Sequence, residues 1–143
     1  MPTFSGTFSG FVDIQQAVTV GDRDGHVMMV ARVRGAQQSP DPRWNDAVIV
    51  YTAVLDLVAG RGAQRGYFVN THTDGGRDSG TFEGAVTTVG TELHCEGTWE
   101  TTAGSGVYEG ITGRGTFSMR ITSPETVEAS WDGVYELGVA AAG

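Results

Sequence analysis

This chain contains no lysine, and its nine basic residues are all arginines. The absence excludes Schiff-base chemistry, a pyridoxal phosphate lysine and the lysine of a phosphate-binding loop. A single cysteine, Cys95, excludes an internal disulfide, a zinc site made of several thiolates and an iron–sulfur cluster. No apolar run is long enough to span a membrane, and the first residues lack the features of a secretory signal, so we expect a cytoplasmic protein.

Positive charge is also scarce: the chain has 17 acidic and 9 basic residues, and its net charge is −8. Nucleic acids and anionic membranes attract basic surfaces, so neither is an expected partner.

The chain has 143 residues, of which 39% are hydrophobic, and this suffices for one core. We therefore predict a single β-barrel domain over residues 1–137, followed by a flexible tail over residues 138–143.

Glycine is abundant, with 22 residues spread along the chain, and segments of alternating apolar and polar residues lie between the glycines. Alternation with a period of two predicts strands, and the glycines predict the turns that join them. The predicted strands are Phe4–Val20, His26–Arg34, Asp46–Val58, Arg65–Thr73, Thr81–Thr87, Leu93–Thr101, Gly115–Thr122 and Thr126–Leu137. The residues predicted to share the apolar face of the first strand are Phe4, Phe8, Val12, Ile14, Val18 and Val20.

Eight strands joined by short turns predict an all-β fold, an eight-stranded antiparallel up-and-down barrel, because closure removes exposed sheet edges. A sandwich of two sheets is the alternative on strand count alone. The segment Gly35–Asn45, which contains Pro40 and Pro42, is predicted to be a mobile flap. The segment Ala103–Ile111 is predicted to be a connection with one helical turn. The interior of such a barrel holds side chains or one small ligand.

The second half of the chain resembles a known family. Gly97-Thr98-Trp99-Glu100, followed by the segment Gly104–Phe117, is similar to the "GTW … GSG-x-(Y/F)-x-G-(I/L)-x-G-x-G" stretch of allene oxide cyclase-like barrels. Gly66–His72 resembles the "F-x-x-x-H" strand of small bacterial members, and Thr126–Gly133 lies where the last strand of the family lies. The likeness covers roughly residues 63–137.

This resemblance implies a barrel whose cavity holds a flexible apolar intermediate and steers its cyclisation or coupling without a cofactor. The superfamily includes plant allene oxide cyclases, dirigent proteins and small bacterial barrels, and it implies a homodimer or a homotrimer. The polar pair near the first strand of the plant enzyme has no residue-level counterpart here. From the resemblance we expect a small apolar molecule as the partner and no cofactor.

Three residues are candidates for catalysis: His72, Asn70 and Tyr51. His72 and Asn70 share one strand face with Phe68, and a neutral imidazole suits general acid–base chemistry. The opposite assignment, which fits the sequence as well, places the other parity inside the barrel: Tyr67, Val69 and Thr71. Tyr51 lies among valines and an isoleucine, where a buried hydroxyl needs a hydrogen-bond partner.

The side chains predicted to line the cavity and bind the ligand are Phe68, Phe82, Cys95, Trp99, Met119, Trp131, Tyr135 and Trp44. Trp44 lies beside the proline-containing loop, where it can close over an opening. His94 and Cys95 are neighbours on a strand and point to opposite faces, so no metal site is predicted. The glycine-rich segments lack the spacing of a dinucleotide-binding loop.

Together these features predict a cofactor-independent cyclase, isomerase or related lyase that binds a small apolar metabolite in the barrel and steers its reaction. Two alternatives stay open. One is a barrel that binds a small hydrophobic ligand without chemistry, and the other is an oligomeric structural protein whose barrel is filled by its own side chains. A cavity distinguishes the last alternative from the others, because a barrel packed to native density leaves no room for a ligand.

Overall fold

Eight strands and one 3-10 turn account for most of the chain in a computed structural model that describes residues 2–123 and 126–138. The strands are β1 Thr3–Thr19, β2 His26–Gln38, β3 Val48–Val58, β4 Arg61–Thr71, β5 Arg77–Val89, β6 Glu92–Ser105, β7 Thr112–Ser123 and β8 Thr126–Glu136. The 3-10 turn, Gly106–Tyr108, lies between β6 and β7, in the connection predicted to contain one helical turn. Residues 139–143 of the predicted tail lie outside the described residues.

The sheet is closed. Each strand pairs antiparallel with the next, and β1 also pairs with β8, where Phe4 lies opposite Gly133. This arrangement confirms the predicted eight-stranded antiparallel barrel and rules out the two-sheet sandwich. Among the described residues, no helix has the length and the apolar character that crossing a bilayer requires.

A β-bulge in β1 changes which residues of that strand face the interior. The pairing of β1 with β2 shifts between Val12 and Ile14, so that Asp13 is the extra residue. Beyond the bulge the parity is inverted, and Ile14 and Val18 are 46% and 58% exposed. The predicted inner face of the first strand is therefore wrong beyond the bulge, at Ile14, Val18 and Val20.

Two predicted connections also differ from the structure. The turn between β3 and β4 consists of Ala59 and Gly60 alone, both with positive φ (53° and 79°), so Arg61 already belongs to β4. Two-residue hairpin turns of this kind match the twist of the strands they join. The predicted flap, Gly35–Asn45, begins too early in the sequence, because Gly35 to Gln38 belong to β2 and pair with β1.

Inside the barrel, bulky side chains alternate with glycines. β5 and β6 place Phe82 opposite Trp99, and the next inward pair is Gly84 opposite Gly97. A Cβ atom on Gly97 would overlap the backbone of β5 at Glu83 and Gly84, so the two strands approach each other as closely as they do because these residues are glycines. The alternation of small and large residues makes room for aromatic rings in a narrow barrel.

One end of the barrel, which we call the plugged end, is covered by the β2–β3 loop and the β6–β7 connection. Apolar side chains form a separate cluster there: Phe4, Trp44, Tyr108, Ile111 and Tyr135. The ring of Trp44 is 2% exposed, and the backbone N–H groups of Trp44 and Asn45 both donate to the carbonyl of Asp41. The opposite end, which we call the turn end, carries the β1–β2, β3–β4 and β5–β6 turns.

Exposed apolar side chains concentrate on the outer face of β1–β4, which we call the apolar face: Phe11, Ile14, Val18, Met28, Val30, Val48, Tyr67 and Val69. Phe11 and Tyr67 are 67% and 70% exposed. The outer face of β5–β8 is polar and carries carboxylates, among them Glu83, Glu96 and Glu100. A large exposed apolar patch marks an interaction surface in soluble proteins.

His26 bridges two carboxylates at the turn end. Its Nδ1 lies 2.5 Å from Asp22 Oδ1, and its Nε2 lies 2.6 Å from Asp56 Oδ1. Both ring nitrogens therefore donate to carboxylates, which favours the imidazolium form. The hydrogen bond to Asp22, followed by the one to Asp56, raises the pKa of His26 above its ordinary value.

We expect the protein to lose stability as the pH rises through the raised pKa of His26. The folded-state pKa exceeds the value in the unfolded chain, about 6.5, so the stabilisation is complete below that pH and declines above it. Thermal unfolding measured from about pH 6 to about pH 9 should show a falling midpoint, and His26→Gln should flatten the decline. An equally steep decline in His26→Gln contradicts this assignment.

A candidate active site beneath the plugged end

A cavity of about 70 Å³ lies inside the barrel beneath the plugged end, and we call it the inner chamber. Its walls are mostly aromatic, with Phe4, Phe8, Phe68, Phe82, Trp99 and Phe117 among the lining residues. Four polar side chains also line it: Gln37, Asn70, Asp78 and Thr101. The volume is enough for a few water molecules or a small organic fragment, since a water molecule occupies about 30 Å³ in the liquid.

Three of these polar side chains, Gln37, Asn70 and Asp78, form a continuous hydrogen-bonded row that begins at Trp131. Trp131 Nε1 donates to Gln37 Oε1 at 2.8 Å, and Gln37 Nε2 donates to Asn70 Oδ1 at 3.1 Å. Asn70 Nδ2 then donates to Asp78 Oδ2 at 3.2 Å. Among the described residues, no fully buried side-chain nitrogen or oxygen lacks a hydrogen-bond partner. The row therefore fixes the orientation of Asp78 at the chamber wall.

His72 lies behind Asp78 and completes the row. Its Nε2 is 2.5 Å from Asp78 Oδ1, and its Nδ1 is 2.7 Å from the carbonyl oxygen of Arg43 in the β2–β3 loop. The Tyr108 ring stacks on the imidazole with 4.0 Å between ring centroids, and Trp44 contacts it edge-on at 5.1 Å. His72 and Asp78 are 3% and 1% exposed, so the pair is shielded from bulk water.

These contacts define the number of protons that the pair carries. The Arg43 carbonyl can only accept, so Nδ1 of His72 donates and carries a proton. The short contact between Nε2 and Asp78 Oδ1 holds a second proton, either on the imidazole or on the carboxyl. Asp78 and His72 together are therefore a neutral unit with one proton between them, which suits burial in an apolar wall.

Tyr51 lies at the far side of the inner chamber from the plugged end. Its hydroxyl donates to the sulfur of Met119 at 3.2 Å, and the side chain is 3% exposed. A thioether is a weak acceptor, so this hydroxyl can exchange it for a ligand oxygen at little cost. Burial, followed by the nearby Cys95 thiol, raises the pKa of Tyr51, so the phenol stays protonated and remains a donor.

The structure brings together most of the residues named from the sequence. Asn70 and Tyr51 line the inner chamber, as do Phe68, Phe82, Trp99, Met119, Trp131 and Trp44. His72 is buried on the same strand side as Asn70, but it lies behind Asp78 and is absent from the chamber wall. Cys95 and Tyr135 are buried in the core and do not line the chamber. The alternative inner face of this strand is wrong at Tyr67 and Val69, which are exposed.

Sequence reasoning missed Asp78, because the predicted fifth strand began at Thr81 and left Asp78 in a turn. A signal for it was present. Phe82 faces the barrel interior, and alternate residues of a strand share a face, so Gly80 and Asp78 face the interior as well. Gln37 was missed for a similar reason, because it lay in the predicted flap and belongs to β2.

Cys95 is buried on β6, and this burial raises the pKa of its thiol to about 11, with a smaller contribution from Glu96. A thiol that stays protonated near neutral pH is a poor nucleophile. We expect iodoacetamide at about pH 8 to alkylate Cys95 roughly 100-fold more slowly in the folded protein than in urea. Mass spectrometry of timed samples measures both rates, and equal rates would show that the thiol is accessible and reactive.

No protein-family model matches this sequence, and no curated protein matches it significantly. The function is therefore inferred from the geometry of the inner chamber and not from relatives. Within residues 2–123 and 126–138, no three side chains of His, Cys, Asp or Glu converge as the ligands of a metal ion do.

Proposed function

We propose that this protein is a cofactor-independent isomerase or cyclase of the allene oxide cyclase-like superfamily, and that it acts on a small apolar carbonyl compound in the inner chamber. One observation carries the proposal. Asp78 is 1% exposed, its side chain lines an aromatic chamber, and its carboxyl group is held from behind by His72. A buried carboxyl that faces an apolar cavity is suited to moving a proton to and from a carbon acid.

The proposed reaction is a shift of a double bond by proton transfer. Asp78 Oδ2 takes a proton from the carbon between a carbonyl and an alkene, and the C–H electrons form a dienolate. The Tyr51 hydroxyl donates to the carbonyl oxygen, where negative charge develops. The same carboxyl then returns the proton to the far alkene carbon, which leaves the enzyme unchanged and the product conjugated. A cyclase would use the same polarised carbonyl to start ring closure.

His72 and Asn70 act through Asp78 in this proposal and are positioning residues. His72 holds Oδ1 and keeps a proton beside it, while Asn70 holds Oδ2 in the chamber wall. Fixing the acid–base group relative to the substrate lowers the barrier by orientation. Replacing His72 by Phe keeps a ring for Tyr108 to stack on but removes the hydrogen bond to Asp78 Oδ1, so kcat should fall while KM stays near the parent value.

The size of the inner chamber limits the substrate. Most ligand sites have volumes of about 300–1,000 Å³, whereas this chamber has about 70 Å³. The guest is therefore small, and Met119, which is unbranched and flexible, moves aside to admit a ring. The aromatic walls exclude water and select an oily guest with one polar group.

The test uses 3-cyclohexen-1-one, a small ketone whose alkene moves into conjugation when one proton is transferred. We expect the purified protein to produce 2-cyclohexen-1-one, detected by the absorbance of the conjugated enone. The reference is a solution with equal concentrations of free acetate and imidazole, which offers the same chemical groups without the chamber. A rate no greater than that of the reference would overturn the proposal.

A barrel that binds a ligand without converting it is the second candidate. Binding without conversion is favoured by the hydrogen bonds that link Gln37, Asn70 and Asp78, because they leave few polar groups free to move during a reaction. Binding of the cyclohexenone without any conversion, seen by NMR shifts of the Met119 methyl group, would support this second function over the first.

We also propose that the partner at the apolar face is a second copy of this chain, in a homodimer or a homotrimer. In a ring of three copies, Arg34 and Arg65 on that face complement the carboxylates on the outer face of β5–β8 of the next copy, whereas in a dimer the two apolar faces meet each other. The double variant Phe11→Ser and Tyr67→Ser should sediment as a single chain, whereas the parent and the control Asp24→Asn, in the exposed β1–β2 turn, should sediment as oligomers. A parent protein that sediments as a single chain would contradict this.

A further inference from the structure

A second cavity, with a volume of about 150 Å³, lies at the turn end of the barrel, and we call it the outer chamber. Its walls are mainly aliphatic and include Val12, Met29, Val33, Leu55, Leu93 and Ile121. Gln15 and Thr91 also line it and are exposed, so the chamber is reached from solvent on their side. The Tyr51 ring lines both chambers and, with Met119, separates them.

Gln64 is the buried polar group of the outer chamber. It lines the chamber and is 2% exposed, and among the described residues its amide makes one hydrogen bond, from Nε2 to the Met119 sulfur at 3.8 Å. The Gln15 amide likewise donates to a sulfur, that of Met29, at 3.0 Å. A primary amide carries two donors and one acceptor, and thioethers are weak acceptors. Gln64 therefore has hydrogen-bonding capacity that the protein itself leaves largely unused.

We propose that the outer chamber is a second small-molecule site that takes an uncharged, ring-sized ligand with a cis amide, such as a lactam. The lactam carbonyl accepts from Gln64 Nε2, and the lactam N–H donates to Gln64 Oε1. All residues that line the chamber are uncharged, which favours a neutral ligand. The carbon atoms of the ring pack against the aliphatic walls, and apolar cavities of about 150 Å³ admit a ring of the size of benzene.

The two hydrogen bonds between the lactam and the Gln64 amide, one in each direction, distinguish lactams from simpler ring compounds. A ketone satisfies the donor of Gln64 and leaves its acceptor unused, and a hydrocarbon satisfies neither. Met119 turns away when the ligand carbonyl replaces its sulfur, because its side chain is flexible. This site does not depend on Asp78, and it stands whether or not the inner chamber is catalytic.

Three ring compounds test the proposal: δ-valerolactam, cyclohexanone and methylcyclohexane. Binding to the full chain is followed by NMR of methionines labelled with ¹³C at the methyl group. Met29 lines only the outer chamber and reports on it, whereas Met119 lines the inner chamber and senses the outer chamber through its contact with Gln64. We expect the lactam to shift both signals and to bind roughly 5-fold more tightly than cyclohexanone, which is the effect of one additional hydrogen bond. Methyl signals that stay unmoved at saturating lactam would overturn the proposal.

Two variants separate recognition by Gln64 from binding by shape alone. Gln64→Leu should weaken lactam binding roughly 10-fold and leave methylcyclohexane binding intact, which also shows that the chamber is still formed. Ala31→Leu fills the chamber without changing Gln64 and should abolish the shift of the Met29 methyl signal with all three compounds. Asp78→Asn should leave lactam binding unchanged. Equal lactam affinity in the parent and in Gln64→Leu contradicts the assignment.

Discussion

Asp78→Asn is expected to lower the rate of 3-cyclohexen-1-one isomerisation by roughly 100-fold to 10,000-fold, which is the range for loss of a general acid–base group. The amide has nearly the shape of the carboxyl but can neither take nor return a proton. Its oxygen still accepts a hydrogen bond, so contact with His72 or Asn70 is retained. Initial rates over a series of ketone concentrations measure the effect, which should fall on kcat and not on KM.

The matched control for this variant is Glu83→Gln, which removes a carboxylate from the same strand, β5. Glu83 is exposed on the outer face, so its loss should leave the rate unchanged. Thermal unfolding of both variants shows whether each is folded under the assay conditions. If Asp78→Asn is folded and isomerises the ketone at the parent rate, Asp78 is not the acid–base group and the proposed chemistry is wrong.

Trp44→Ala is expected to produce the largest loss of stability. The Trp44 ring packs against Phe4 at 4.7 Å and Tyr135 at 4.9 Å between ring centroids, and it closes the plugged end above the inner chamber. Removing a buried aromatic ring costs about 3–5 kcal/mol, because apolar contacts are lost and a cavity remains. The midpoint of thermal unfolding should fall by roughly 10 °C.

Trp44→Phe is the graded comparison, because it keeps a ring in the cluster and should lose only about 1–2 kcal/mol. The alanine variant should also enlarge the inner chamber, so that it admits a larger ketone than the parent protein does. Calorimetry of the three proteins measures the order of stability. A Trp44→Ala midpoint within a few degrees of the parent would mean that the plugged end contributes little to the folded state.

The sequence by itself determined eight strands and favoured a barrel, and the closed pairing of β1 with β8 excluded the sandwich. The period of two along eight segments and the glycines between them are local properties, and a closed antiparallel sheet is the arrangement that buries every apolar face and leaves no edge. Local parity also placed Phe68 and Asn70 of β4, and His72 just after its end, on one side, and all three residues are buried. The residue next to a strand residue always points to the other face, so such predictions need no knowledge of neighbouring strands.

The tertiary structure decided how the site is assembled. Asp78 meets Asn70 because the β4–β5 hairpin pairs these two residues in register. It meets His72 because the His72 N–H donates to the Gly76 carbonyl and extends the hairpin, so that the imidazole lies two residues beyond Asn70 on the same side. Arg43 and Trp44 reach the same place from a loop about 30 residues away in sequence. The bulge at Asp13 likewise inverts the rest of β1 with no signal in the alternation itself. Register, bulges and loop closure depend on the energy of the whole sheet, so a local pattern does not reveal them.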